Sequence, residues 1–390
     1  MKQSTILTSF LNGLQVLAAA AAGDNAIDSP PMRGRRAGYP GWQDWTSVSP
    51  GDFKFNPGAF VSTLEDSTST LFAVRSDGVV CTTSSDYNTS VYVPWTPTAT
   101  NYRMDVRSRI AATFNINEWR LELYATAADG FVWTTYRSQD GRWHAWDPVS
   151  TSTRMGPAAP ITVTWNGNRT TVELMAASQN GTMVTARRTN AGSWTDWQPI
   201  RPDTAVPPAA ALTVVGDNAD DPNRRIYVID GHGVARCCPW SSPLKSWQFC
   251  YQVHPRAMRP GALISARDNW ISPLLVTTSS DGFIWTSDRF QHDDWTAVAG
   301  SSAIQPGADA ALYVAGDNQF LFGTDRTGLI RFTGRTRDSA GSDWVVWSNV
   351  NPLSVIPPGA AVNAVRNPNT GRMTALVIGA DGNVWSNWWQ

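Results

Sequence analysis

Charge is scarce in this chain. Lys, Arg, Asp and Glu make up 16% of its 390 residues, and the formal net charge is −1. A nucleic-acid binder needs a basic excess to neutralise phosphates, so nucleic acid is excluded as an expected partner, and an anionic membrane surface with it. Histidine is also sparse. His144, His232, His254 and His292 are scattered, and no H-E-x-x-H, C-x-x-C or G-x-S-x-G occurs, so neither a zinc site nor a nucleophile elbow is written in recognisable form. The glutamates are Glu65, Glu118, Glu122 and Glu173, and they read as non-equivalent positions. That argues against the carboxylate pair a glycosidase sets across its scissile bond. No metal or cofactor is implied, and the expectation is a protein without enzymatic activity.

Long apolar runs are missing as well. The longest, Ile6 to Ala22, is interrupted by Asn12, Gly13 and Gln15. It is too short and broken for a membrane span. With Lys2 before it and small residues from Ala20 to Gly23, residues 1–22 read as a signal peptide, the alternative being a disordered or weakly helical arm. Residues 23–40, rich in Pro, Gly and Arg, read as a linker or propeptide with a dibasic site at Arg35-Arg36. The protein is therefore expected to be secreted and extracellular, with no membrane insertion. Asn88 and Asn168 begin N-x-[ST] triplets and are candidate glycosylation sites; Asn180 begins a third but lies in a tight turn. The cysteines are Cys81, Cys237, Cys238 and Cys250. Cys237 or Cys238 could pair with Cys250 across neighbouring strands, with Cys238–Cys250 the preferred pair; four buried thiols are the alternative.

Against these shortages stand twenty Trp, and they recur in register. A turn signal appears seven times, at Asp77-Gly78, Asp129-Gly130, Asn180-Gly181, His232-Gly233, Asp281-Gly282, Thr327-Gly328 and Asp381-Gly382. Such a turn between alternating hydrophobics marks a hairpin. An apolar strand precedes each turn and a second follows it, as in Phe131-Val132-Trp133-Thr134-Thr135. A third carries a W-x-x-W pattern, as in Trp143/Trp146, Trp194/Trp197 and Trp344/Trp347, and a further strand opens each unit after a Pro, Gly or Ala-rich turn. Four short antiparallel strands repeated seven times predict an all-β, seven-bladed β-propeller over residues 41–390. The last unit stops at Gln390 without its W-x-x-W strand, and a spare copy, Trp42 to Trp45, stands at the other end. The N-terminal strand is therefore expected to complete the last blade and close the ring, which removes two open sheet edges.

The unit from Leu123 to Tyr136, followed by Gly141-Arg142-Trp143-His144-Ala145-Trp146, resembles the repeat of the PLL-like, or bangle, lectins of the fucose-specific lectin superfamily. The resemblance implies a seven-bladed propeller that binds fucose or a related sugar. Bacterial members often carry Arg three residues before the turn Asp, where this chain has Val74, Thr126, Thr278 or Ile378; Cys250 replaces the second Trp of the fourth unit, and Arg331 stands where others have Trp.

Comparing the seven copies separates core from candidate site. The first residue of W-x-x-W is aromatic in every copy and reads as core. The second residue after the turn Gly is always apolar. The next one varies, as Cys81, Trp133, Val184, Arg236, Trp285, Arg331 and Trp385, and strand alternation puts it on the other face. Trp133, Trp285 and Trp385, with Trp388, are the candidate platforms for stacking on a sugar. The expected function is a multivalent, non-catalytic carbohydrate-binding protein whose partners are glycans or glycoproteins; nothing in the sequence bears on oligomeric state. The alternatives are a protein-binding scaffold and a secreted carbohydrate-active enzyme with an irregular site.

Overall fold

The computed structural model describes residues 41–48, 53–57, 61–64, 69–85, 92–115, 117–165, 171–189, 192–216, 221, 224–254, 258–267, 274–287, 295–298, 300, 304–306, 308–315, 317–336, 344–350, 356–366 and 372–389. The expected signal peptide, the linker, Asn88 and Asn168 lie outside these residues. No helix occurs among the described residues, and none is long and apolar enough to cross a membrane.

The strands form seven antiparallel sheets. Blade 1 is Ser62–Leu64, Thr70–Val74, Val80–Ser84 and Thr96–Pro97; blade 2 is Ala111–Asn115, Arg120–Thr126, Val132–Arg137 and Asp147–Ser150. Blade 3 is Thr162–Trp165, Val172–Ala177, Thr182–Arg187 and Gln198–Ala205. Blade 4 is Thr213–Val215, Arg225–Ile229, Ala235–Ser241 and Ser246–Trp247, with a fifth strand, Tyr251–Gln252, also on Ala235–Ser241. Blade 5 is Ile264–Arg267, Leu274–Thr278, Ile284–Ser287 and Thr296–Ala297; blade 6 is Ala311–Ala315, Asn318–Thr324, Ile330–Thr336 and Ser348–Asn349. Blade 7 is Asn363–Arg366, Met373–Ile378 and Val384–Trp388, completed by Thr46–Ser47 from the chain's start. The opening strand of each blade lies beside those of the blades before and after it, and the series closes from blade 7 to blade 1. The ring is therefore complete, as the repeat count predicts.

Closure uses the expected strand. Thr46 pairs with Ser386 and Ser47 with Trp385, and Trp42 bridges to Trp389. The Val48 amide donates to the Val384 carbonyl at 2.8 Å. Trp42 is 7% exposed and meets Phe322, Phe332 and Trp389 edge-on at 5.3–5.9 Å between ring centroids.

The core is distributed between blades. Seven apolar clusters each join two neighbouring blades. The first aromatic of every W-x-x-W copy packs into the cluster shared with the preceding blade, as Trp143 does edge-on to Phe72 of blade 1 and Trp194 to Tyr124 of blade 2. In blades 1 and 2 the second Trp ties neighbours by its N–H: Trp95 donates to the Val48 carbonyl at 3.0 Å and Trp146 to the Ala99 carbonyl at 3.1 Å.

The turn glycines have two reasons to be glycine. Gly130 takes φ +82° and Gly181 φ +76°, a left-handed conformation that other residues adopt at a cost. The chain entering the next blade also crosses directly above: the amides of Met155 and Val206 donate to the carbonyls of Gly130 and Gly181 at 2.7 and 2.9 Å. A Cβ on Gly181 would stand 2.5 Å from the Val206 carbonyl oxygen. Phe55 makes the same bond to Gly382 at 2.9 Å, so the blade 7 to blade 1 junction repeats the pattern of the others. Blades 4 and 6, which lack Asp or Asn before the turn Gly, move the carboxylate two residues upstream. Asp230 accepts the amides of His232 and Val234, both at 2.9 Å, and Asp325 those of Thr327 and Leu329 at 2.8 and 3.0 Å.

Candidate functional site

The four candidate tryptophans stand on three blades, and the structure does not gather them. Trp133, on blade 2, is half-buried, and Tyr102 stacks on its face at 3.6 Å. Trp285, on blade 5, meets buried His254 edge-on at 5.1 Å. Trp385, on blade 7, aims its indole N–H at the Asp381 carboxylate, 3.2 Å away. Trp388 lies at the end of the same strand, half-buried. The interchange of Trp and Arg at the Trp133 position has a structural reason. Arg236 and Arg331 turn back to donate to Asp230 and Asp325, both at 2.8 Å, and so brace the hairpin turn that Trp385 braces in blade 7.

The glutamates correct the sequence reading. Glu122 and Glu173 are equivalent after all, each standing eight residues before its turn glycine, Gly130 or Gly181. Each lies on the second strand of its blade, opposite Tyr136 or Arg187 on the third. Both are almost wholly buried. Glu122 accepts from Asn115 at 3.0 Å, from Arg120 and Arg188 at 2.7 Å each, and from the Tyr124 hydroxyl. Glu118 also pairs with Arg120 and Arg188, at 2.6 and 3.3 Å. Two carboxylates thus balance two guanidiniums between blades 2 and 3.

The corresponding cluster between blades 3 and 4 is built differently. Glu173 accepts from Thr185 at 2.9 Å, Arg187 at 3.0 Å and Arg224 at 2.6 Å. Burial opposes its ionisation, but the Arg224 and Arg187 guanidiniums outweigh this and hold the carboxyl below its usual range. Arg224 is fully buried, with its guanidinium 5.5 Å from the Trp240 ring and 5.1 Å from the Trp247 ring. Arg187 is half exposed at its side chain.

Above this cluster opens a cleft of about 350 Å³. It is lined by Thr185, Arg187, Thr195, Gln198, Trp240 and Lys245, with Pro199, Ile200, Ser246 and Trp247. The hairpin of blade 4 shapes it. Trp240 pairs with Trp247 and Ser241 with Ser246 across a short loop in which Lys245 takes φ +48°. The two indoles lie 5.0 Å apart at 67°. Blade 4 has room for this because its outer strand is interrupted. Where blades 2 and 3 carry Trp146 and Trp197, it carries Cys250, which forms the expected disulfide with Cys238. Cys237 and Cys81 are buried free thiols.

Sequence reasoning missed this cleft because it passed over Trp240; its assignment of Trp247 to the core holds, the residue being 6% exposed. The available signals were an extra Trp outside the W-x-x-W pattern and the paired glutamate positions. Among the described residues, no group of three or more His, Cys, Asp or Glu is placed to hold a metal ion.

No family profile and no curated protein matches this sequence. Solved structures do. The BP39L lectin from Burkholderia pseudomallei superposes over 87% of this chain and 98% of its own, with a TM-score of 0.71 at 18% identity. This chain shares its fold with a lectin. AofleA from Arthrobotrys oligospora superposes over 75% of this chain and 86% of its own, with a TM-score of 0.53 at 15% identity. BBS1N, solved in complex with ARL6DN, covers 90% and 97%, with a TM-score of 0.57 at 13% identity. These likenesses, all at 18% identity or less, are likenesses of fold.

Proposed function

We propose that this protein is a secreted, non-catalytic carbohydrate-binding propeller, and that one sugar site is the cleft between blades 3 and 4. The observation that carries the reading is the composition of that cleft. Trp240 and Trp247, largely buried in the core, line its apolar side, while Thr185, Thr195, Gln198, Ser246 and Arg187 supply donors and acceptors around them. A pyranose has one C–H face and a rim of hydroxyls, and a cleft that combines apolar lining with convergent polar groups suits it. Glu173 prepares the site by holding the Arg187 guanidinium in place. The disulfide in blade 4 supports an oxidising destination, in keeping with the apolar segment at the N-terminus.

Single-sugar affinities are modest, so equivalent sites around a rigid ring gain by avidity. Trp133, Trp285, Trp385 and Trp388 remain candidates for such additional sites, and fucose is the sugar implied by the resemblance. A glycan array with the secreted protein is the direct test. Retention of defined glycans, lost on Thr185→Val and Gln198→Ala at unchanged melting temperature, is the expected result. Silence across fucosylated, galactosylated and acidic glycans would sink the proposal. A protein-binding scaffold is the second reading, favoured by Leu244 and Phe249, which stand 69% and 73% exposed close to the cleft.

A further inference from the structure

We infer that Asn180 is an attachment site for an N-linked glycan, at the exposed tip of the blade 3 hairpin. The inference rests on the secretory part of the proposed function and does not depend on the cleft. Asn180-Gly181-Thr182 is an acceptor triplet, and four other blades show what its first position normally does. There an Asp stands in place of Asn180, and its carboxylate braces the turn by accepting the amide two residues on. Asp77 accepts from Val79 at 3.2 Å, Asp129 from Phe131 at 2.9 Å, Asp281 from Phe283 at 3.4 Å and Asp381 from Asn383 at 3.0 Å.

Blade 3 departs from this plan. The equivalent amide, that of Thr182, donates to the Ser178 hydroxyl at 3.1 Å. The Gly181 amide donates to the Ser178 carbonyl at 3.0 Å, and the Ser178 amide to the Thr182 carbonyl at 2.8 Å. Ser178 thus takes the part that Asp230 and Asp325 play at the same position in blades 4 and 6. The turn is complete without the Asn180 side chain, which is exposed and has no hydrogen-bond partner among the described residues. An asparagine that braces nothing gives up no contact when a bulky, hydrophilic group is added to it.

The transfer exchanges one amide proton of Asn180 for a sugar. The amide nitrogen attacks C1 of a glycan carried on a lipid diphosphate. The bond from C1 to the diphosphate oxygen breaks, the nitrogen gives up its proton, and the lipid diphosphate leaves. Thr182 supplies the hydroxyl that completes the triplet. The finished ring has only to leave room for the product, and the exposed hairpin tip does. Asn occupies this place in no other of the seven turns, so a turn glycan marks blade 3 alone.

The test is secretion of the full chain from a eukaryotic host, followed by tryptic mapping. Cleavage after Arg169 and Arg187 releases a peptide that holds Asn180 and separates it from Asn168. Asn-Gly pairs also deamidate, so the readout is the mass of the intact glycopeptide rather than of an Asp left after deglycosylation. The expected result is a glycan on this peptide, absent in Asn180→Asp and in Thr182→Ala. The first variant restores the residue that four other blades carry, and should melt no lower than the enzymatically deglycosylated protein. The second keeps Asn180 and removes only the triplet. A secreted protein whose 170–187 peptide is bare would overturn the inference and leave the secretory reading standing. Retention of the folded chain inside the cell would overturn both.

Discussion

The guanidinium of Arg109 pairs with the carboxylate of Asp309, two hundred residues away along the chain. Each lies two residues ahead of the opening strand of its blade, Ala111–Asn115 or Ala311–Ala315. Blades 2 and 6 are three steps apart around the ring, so the bond spans its centre. Burial draws the Arg109 guanidinium down to about 10, which still leaves it charged at neutral pH.

Asp309→Asn therefore strands a cation at the ring's centre. Its expected cost is roughly 2 kcal/mol, between the ~0.2–1 kcal/mol of exposed pairs and the ~3–5 kcal/mol of buried ones. Thermal denaturation of the single variants and of Arg109→Met with Asp309→Leu checks this. The double variant should recover most of the loss, and a double variant as unstable as the sum of the singles would count against a direct pair.

Glu173→Gln should destabilise by about 3–5 kcal/mol, because it leaves the fully buried Arg224 without its counter-charge. Arg224→Met added to it should restore part of that stability. Urea unfolding measures both, and a Glu173→Gln protein of wild-type stability would show that the cluster contributes little.

Trp42→Ala removes the aromatic that seals the junction of blades 6 and 7. A buried Trp replaced by Ala costs about 3–5 kcal/mol. Val346, 80% exposed, supplies the control, and Val346→Ser should leave the melting temperature unchanged.

The thiols should be silent in the folded protein. Burial raises Cys81 to about 12 and Cys237 to about 11, so neither offers thiolate at neutral pH. Ellman's reagent should count none before unfolding and two after unfolding without reductant. Reducing Cys238–Cys250, whose cysteines are 12 residues apart, should lower stability by about 3 kcal/mol.

Acid should unfold the ring through its braced carboxylates. Burial opposes ionisation of Glu122, Glu173, Asp230 and Asp325, but their amide, hydroxyl and guanidinium partners prevail, and all four sit below their ordinary values. A carboxyl depressed by folding contributes its full stability above the unfolded value, about 4, and loses it as pH falls through the lower folded value. The melting temperature should be level above roughly pH 5 and fall steeply below pH 4. Asp325→Asn should flatten that fall, and an unchanged acid limb would refute the assignment.

The chain's own pattern determined the architecture, because each element of it is local. A hairpin needs a turn that tolerates left-handed φ, and a strand needs alternation. Seven evenly spaced copies then leave a ring as the arrangement that buries every blade face. The unfinished last unit and the spare Trp42–Trp45 segment told how the ring closes, whereas the sequence left Cys237 and Cys238 both open as partners of Cys250, and the structure takes Cys238. The site was decided elsewhere. Whether Trp133 offers a free face depends on Tyr102, whose approach nothing near Trp133 announces. Whether Glu173 is part of a binding cleft depends on Arg224, Trp240 and Lys245, all from the next blade. Charge balance and cleft shape arise where two blades meet, and long-range packing sets which side chains share that space.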